Sequence, residues 1–275
     1  MLYIISTPIG NLMDLSLRSI EALKSVDYIY AEDTRKASKI LDFISSECSI
    51  KVLNDHNEYA ANNEIISYLK EQKDIALISD AGSPLISDPG YPLVRKCIEE
   101  DLNFTVLPGP SSVISALILS GLPVDSFVFY GFIPRKKTLR KELSKRIKDG
   151  GVTTILFESP KRIKQSLSDL YAYLGGETNI AICREMTKPY ENIFRGTLAE
   201  AHQNIEDGRI ILKGEFVVVL NCSNNTFISR HISLNRNFCE PFLNYLPVKQ
   251  SAKLISTLLN LPKSEVYDFL IKIAK

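Results

Sequence analysis

The chain has 275 residues, of which 45% are hydrophobic and 24% charged, a composition typical of a globular protein with one large or two medium α/β domains. Its formal net charge of +1 excludes a general affinity for polyanions, so any nucleic-acid binding must come from local clusters. The five cysteines form no CxxC pair, and the sequence has neither a basic leader nor an apolar run of membrane length, so we expect a reduced, cytoplasmic protein that does not bind membranes.

Strands and helices are predicted to alternate through residues 1–120. The clearest helix carries Ala37, Ile40, Leu41 and Ile44, which recur at the i, i+3, i+4 and i+7 positions of one helical face. Short apolar runs predict strands at 2–6, 28–31, 50–53, 75–79 and 104–107. This alternation predicts an N-terminal α/β domain with a mostly parallel, open sheet.

Residues 121–223 predict a second, more mixed α/β domain. Strands are expected at 127–130, 153–157, 180–183, 191–195 and 216–220. The last two are predicted to pair with each other in antiparallel fashion around a helix at 198–205. A polar linker is expected at 224–235, followed by a small helical appendage at 236–275.

Each predicted strand of the first domain ends in a short polar loop. The loops read TPIGN at 7–11, EDTR at 32–35, DHNE at 55–58, SDAGSP at 79–84 and PGPSS at 108–112. In a parallel sheet they lie at one edge, where ligands bind. The small loops are suited to a small molecule and the charged EDTR and DHNE loops to a second substrate. The sequence leaves open that these Asp and Ser residues only cap helices.

Several common chemistries have no support in the sequence. The motifs GxGxxG, GxxxxGK[ST], HExxH and GxSxG are all absent, which removes the usual dinucleotide, P-loop, zincin and serine-hydrolase interpretations. The three histidines, His56, His202 and His231, are too far apart in sequence to suggest a ligand set. We therefore expect no metal.

A basic run lies between Arg135 and Lys148, where eight cations stand against the single acid Glu142. This excess favours contact with a polyphosphate backbone. The alternative is a solvated surface helix, which is what charge runs usually form.

Nine ordered motifs resemble the ribosomal RNA small subunit methyltransferase I family of the tetrapyrrole methylase superfamily. They are TPIGNL, AEDTR, DHNE, SDAGSPLISDPGYPLV, LPGPSS, GFIPRK, ESPKR, REMTK and KGE. The resemblance implies a class III methyltransferase fold of two α/β domains with a small C-terminal helical appendage. It also implies S-adenosylmethionine as methyl donor, a homodimer, and 2′-O-methylation of a cytidine in 16S ribosomal RNA, either free or in the small ribosomal subunit.

The resemblance and the loops together suggest which residues form each site. Those expected at the donor are Pro8, Ile9, Asp80, Gly82, Ser83, Ile86, Ser111, Ser112, Val113 and Phe157, with Asp80 expected to brace its loop. Those expected at RNA are Arg35, Asn57, Arg135, Lys136, Lys137, Arg140, Lys161 and Arg162. Ser83 stands where porphyrin methylases carry an acid, which disfavours a tetrapyrrole substrate, and Lys161 stands where many relatives carry a histidine.

Methyl transfer to a hydroxyl requires a base to remove the proton. His56 is the first candidate, because a neutral imidazole is available near pH 7, and Asp33 and Glu58 are its rivals. Two other functions stay open at this stage. One is methylation of a small molecule such as a tetrapyrrole, and the other is a non-catalytic RNA-binding assembly factor.

Overall fold

The computed structural model describes residues 1–222, 234–259 and 261–273. The chain divides into two compact units, Met1–Ser223 and Asn224–Lys275. The first unit contains two five-stranded sheets, and the predicted domain boundary at 120 stays a prediction. Most of the predicted linker at 224–235 lies outside the described residues, as does His231.

The first sheet is entirely parallel, with strand order β3-β2-β4-β1-β5, which confirms the predicted parallel arrangement. Its strands are β1 Leu2–Ile5, β2 Tyr28–Ala31, β3 Ser49–Val52, β4 Ile75–Ile78 and β5 Phe104–Leu107. The central strand β4 is buried at all four positions, as expected of a parallel strand covered on both faces.

Five α-helices accompany this sheet, and three of them begin at a side-chain cap. They are α1 Leu17–Ser25, α2 Thr34–Ile44, α3 Glu58–Lys70, α4 Tyr91–Glu99 and α5 Ser112–Ser120, and a short 3₁₀ helix covers Leu12–Asp14. Side chains of Ser16, Asp33 and Ser111 accept backbone hydrogen bonds at the starts of α1, α2 and α5. The four apolar residues predicted for one face of α2 are all buried.

The second sheet is mixed, with strand order β6-β7-β10-β8-β9. Its strands are β6 Phe127–Phe132, β7 Thr153–Glu158, β8 Asn179–Arg184, β9 Asn192–Thr197 and β10 Phe216–Asn221, and its helices are α6 Lys137–Gly150, α7 Ile163–Leu174 and α8 Leu198–Glu206. Helix α5 packs against β8 and β10, and its Val113 belongs to one apolar cluster with Val217 and Val219 of β10.

The predicted pairing of 191–195 with 216–220 is wrong. Strand β10 lies between β7 and β8 and is antiparallel to both, whereas β9 pairs with the outer side of β8. Burial explains the order, because all six residues of β10 are buried while β9 has no fully buried residue. A largely apolar, fully buried strand is suited to the centre of a sheet and a partly exposed, more polar strand to its edge.

The second unit has the three helices that the sequence predicted. They are α9 Arg236–Tyr245, α10 Val248–Leu259 and α11 Lys263–Ile273. Cys239, Ala252, Ile255, Val266 and Leu270 form the buried core of the unit. Across the parts of the chain that the structure describes, no helix combines the length and apolar composition needed to cross a membrane.

Candidate active site

Loops from the carboxyl edge of the first sheet and residues of β7 and β10 enclose a cleft of about 460 Å³, which we call the central cleft. Its volume is in the range of small-molecule and cofactor sites. Its apolar residues include Ile9, Val113, Phe157, Met186 and Val217, and its polar residues include Glu32, Asp80, Ser83, Asp88, Ser111 and Ser112.

Hydrogen bonds join the loops that follow β1 and β4. The amide of Thr7 donates to the carbonyl of Gly82 at 2.8 Å, and the amide of Gly82 donates back to the carbonyl of Thr7 at 3.0 Å. Gly82 has φ +85°, a conformation that favours glycine. Leu85 and Ser87 in the same loop also have positive φ, of 72° and 70°, and such strain is typical of functional loops.

Helix α5 presents its N-terminus to the cleft. The hydroxyl of Ser111 accepts a hydrogen bond from the amide of Ile114 at 3.4 Å, and Ser111, Ser112 and Val113 all line the cleft. The first amides of a helix have no partner within it. This end of the cleft therefore offers backbone donors to polar atoms of a ligand.

A second cavity of about 450 Å³, which we call the charged pocket, lies beside the central cleft. It is lined by Glu32, Asp33, Thr34, Arg35, Val52, Asn54, Asp55, His56 and Asp80. Glu32 and Asp80 line both cavities. The loops TPIGN, SDAGSP and PGPSS thus contribute to the central cleft, and the charged EDTR and DHNE loops contribute to the charged pocket beside it.

Asp80 braces the loop that begins at the end of β2. One of its carboxylate oxygens accepts from the amide of Asp33 at 3.1 Å, and the other accepts from the ammonium group of Lys36 at 2.7 Å. The hydrogen bond with Asp80 raises the pKa of Lys36, which keeps the pair ionised. Both oxygens of Asp80 are therefore engaged in holding β2, β4 and their loops together.

Two other acids of the central cleft hold protons more tightly than ordinary carboxyl groups. Burial, with the nearby charges of Asp80 and Asp55, raises the pKa of Glu32. Burial and the charge of Glu32 raise the pKa of Asp88 to about 6. Such shifts are common in functional clefts.

The three predicted bases lie in different surroundings. His56 is exposed and lines the charged pocket. Asp33 lines it too, but its carboxylate accepts from the amide and side chain of Arg35, and these hydrogen bonds lower its pKa to about 2. Glu58 lines neither cavity and accepts from the amide of Gly90 at 2.9 Å. The low pKa of Asp33 makes it a poor proton acceptor, and Glu58 lies outside both cavities.

Nine of the ten residues predicted at the donor line the central cleft, and Pro8 does not. Pro8 is buried beside Ile9, whose side chain reaches the cleft. The prediction missed Glu32, Lys36, Asp88, Phe132, Met186 and Glu215 as lining residues. All of these except Lys36 lie in the motifs AEDTR, SDAGSPLISDPGYPLV, GFIPRK, REMTK and KGE, but none of them was predicted at the donor.

Arg140 requires a correction, because it is buried and not available at the surface. Its side chain donates to Asp169 at 2.7 Å and to the carbonyls of Pro134 and Arg135 at 3.1 and 2.6 Å. It shares the inward face of α6 with Leu143, Ser144 and Ile147. The helical period thus places this one cation of the run inside.

The other predicted RNA contacts fall into two groups. Arg35, Arg135, Lys136, Lys137 and Lys161 are exposed, as are the further cations of α6. Arg162 forms an ion pair with the buried Glu158 and donates to the carbonyl of Ile133. The amide side chain of Asn57 bonds the backbone of Val52 and Asn54. Arg162 and Asn57 therefore serve the protein's own loops.

The sequence profile of the family described as Tetrapyrrole (Corrin/Porphyrin) Methylases matches residues 1–202. The chain is 38% identical over 274 residues to "Ribosomal RNA small subunit methyltransferase I" of Halalkalibacterium halodurans, covering 97% of this chain and 93% of the relative. It is 39% identical to the protein of that name from Vibrio cholerae, covering 98% and 93%.

Solved structures show the same fold at low sequence identity. The methyltransferase CobJ superposes with a TM-score of 0.63 at 14% identity, covering 83% of this chain and 96% of that one. A diphthine synthase superposes with a TM-score of 0.63 at 15% identity, covering 80% and 89%. At these identities the likeness concerns the fold alone.

Proposed function

This chain belongs to the tetrapyrrole methylase family and, within it, to the ribosomal RNA small subunit methyltransferase I family, and on that premise we propose that it methylates the 2′-hydroxyl of a cytidine in 16S ribosomal RNA with S-adenosylmethionine as donor. The observation that carries the proposal is the contact between the central cleft and the charged pocket, which share Glu32 and Asp80. One cavity is suited to the donor and the adjoining one to a polar second substrate.

The residues of the central cleft fit S-adenosylmethionine. Ile9, Val113 and Phe157 offer apolar surface for an adenine ring, and the N-terminus of α5 offers amides to polar atoms. Glu32 and Asp88 line the same cleft, and their negative charge would favour a sulfonium cation there. The bound donor would supply an electrophilic methyl group, with S-adenosylhomocysteine as the product.

The protein's main contribution to such a reaction is positioning. The Thr7–Gly82 bridge and the hydrogen bonds of Asp80 fix the walls of both cavities. A ribose hydroxyl held in the charged pocket would face the central cleft, and alignment of two reactants can supply about 7–11 kcal/mol of the barrier reduction.

Binding of RNA is proposed to use two exposed groups of cations. Arg35 stands at the charged pocket with its side chain 87% exposed and could orient a phosphate. Arg135, Lys136, Lys137 and Lys161, together with the exposed cations of α6, form a second basic surface for the phosphate backbone. The homodimer implied by the family belongs to the same proposal, and light scattering of the purified protein tests it.

One experiment tests the reaction. The protein is incubated with methyl-labelled S-adenosylmethionine and either free 16S RNA or small subunits that lack the modification, and the labelled nucleotide is mapped. We expect a new 2′-O-methylcytidine. Label on a base or on another nucleotide would contradict the proposal. Subunit binding without methyl incorporation would instead indicate an assembly factor, and turnover of a small acceptor without RNA would indicate a small-molecule methylase.

A further inference from the structure

We propose that Glu32 is the general base that accepts the proton of the ribose hydroxyl. The inference deepens the proposed function and rests on it, because it names the residue that would act on the hydroxyl at that site. It replaces His56, Asp33 and Glu58, the three candidates that the sequence suggested.

Glu32 lies where the two cavities meet. A base for methyl transfer must reach the hydroxyl where the second substrate meets the donor, within about 2.6–3.2 Å of the proton's oxygen. Among the residues that line the two cavities, only Glu32 and Asp80 line both. Asp88 lines the central cleft but not the charged pocket, and His56 and Asp55 line the charged pocket but not the central cleft. The meeting point therefore offers two carboxylates.

Availability separates these two carboxylates. Asp80 uses one oxygen for the amide of Asp33 and the other for the ammonium group of Lys36, so a proton on Asp80 would break an ion pair that holds the loops. No hydrogen bond or ion pair joins the half-buried Glu32 side chain to another residue within the described ranges 1–222, 234–259 and 261–273. Glu32 can therefore take up a proton without loss of a structural contact.

The surroundings of Glu32 also suit proton transfer. Burial raises its pKa above the ordinary 4.5, the charges of Asp80, Asp55 and Asp33 raise it further, and the charge of Lys36 opposes them. Asp88 lines the same cleft from the loop after β4, and the charge of Glu32 raises its pKa. A carboxylate with a raised pKa is a stronger base toward a hydroxyl than an ordinary one.

The proposed step balances without a further reactant. The O–H bond of the ribose breaks as its proton passes to the Glu32 carboxylate, and the oxygen forms a bond to the methyl carbon. The bond between that carbon and the sulfonium sulfur breaks, and sulfur keeps the electron pair. Glu32 later returns its proton to water.

The test compares Glu32→Gln and Glu32→Asp with the wild type in the methylation of 16S RNA under single-turnover conditions. Loss of a general base costs about 10²–10⁴-fold, so we expect Glu32→Gln to lower the rate at saturating donor at least about 100-fold while the RNA Kd stays within about threefold. Glu32→Asp, which keeps a carboxylate, should recover part of the rate. Glu47→Gln, which removes the same charge from an exposed site outside both cavities, is the matched control.

The pH profile gives a readout that a structural role would not change. The wild-type rate should fall as pH drops through the raised pKa of Glu32, and Glu32→Gln should lose this acid limb. A Glu32→Gln rate within about fivefold of wild type, or an unchanged acid limb, would overturn the inference. If the wild type itself fails to methylate RNA, the proposed function fails first. If Glu32→Gln does not fold or does not bind the donor, the inference is tested by two other results. The wild-type rate must show the acid limb, and Glu32→Asp must keep part of the rate.

Discussion

Replacing Arg140 with methionine should destabilise the first compact unit, because the guanidinium neutralises a buried carboxylate. Arg140 is 8% exposed and Asp169 is 5% exposed. Besides Asp169, the guanidinium serves the carbonyls of Pro134 and Arg135, which lie just before α6. Methionine would fill much of the same space but would leave Asp169 charged, buried and without its cation.

The size of the effect follows from these contacts. Breaking a buried ion pair by removing one partner costs about 3–5 kcal/mol, and each carbonyl left without a donor adds to the loss until water reaches it. We therefore expect Arg140→Met to lower the free energy of unfolding by about 4 kcal/mol. With a slope of about 3 kcal/mol per M in urea, the midpoint should fall by roughly 1.3 M.

Urea unfolding followed by circular dichroism measures this change, since the chain has no tryptophan for fluorescence. Lys141→Met, at the exposed neighbouring position, should change stability by less than about 0.5 kcal/mol. Arg140→Met combined with Asp169→Leu should recover most of the loss, because an apolar pair can replace a buried ion pair. A loss below about 1 kcal/mol for Arg140→Met alone would refute the assignment of Arg140 to the interior.

Three further outcomes test the proposed site. Charge reversal of Lys136, Lys137 and Lys141 together should weaken RNA binding and reduce the slope of log K against log[salt] by about 2–3, while the donor Kd stays unchanged. An unaltered RNA affinity in a filter-binding titration would indicate that α6 is only a solvated surface helix. Gly82→Ala should raise the donor Kd measured by calorimetry about fivefold or more. Alanine at φ +85° adds about 1–2 kcal/mol of strain, which the free loop relieves by leaving the conformation that binds the donor. An unchanged Kd would indicate that this loop does not contact the donor. His56→Ala should lower the methylation rate by less than about tenfold, and a loss of 100-fold or more would return His56 to the role of base.

Much of the first sheet and of its ligand edge could be predicted from the sequence. The spacing of apolar residues and the helix caps are local properties of the sequence. Helix α2 and its buried face could therefore be predicted from Ala37, Ile40, Leu41 and Ile44 without knowledge of the rest of the chain. Alternating strands and helices imply a parallel sheet, and a parallel sheet places strand-end loops at one edge. For that reason residues far apart in sequence, such as Ile9 and Ser83, could be predicted to share a cavity.

The tertiary structure decided what depends on long-range partners. The position of β10 between β7 and β8 follows from competition between strands for the centre of the sheet, which local patterns do not encode. The helical period puts Arg140 on the same face as Leu143 and Ile147, but only the position of Asp169 on α7 supplies the carboxylate that allows an arginine to be buried there. Asp33 and Glu32 are adjacent acids, yet Asp33 is bonded by Arg35, whereas Glu32 meets no hydrogen-bond partner among the residues that the structure describes and lies between two cavities. The direction of a side chain and the partners that it meets are set by packing and not by distance in sequence.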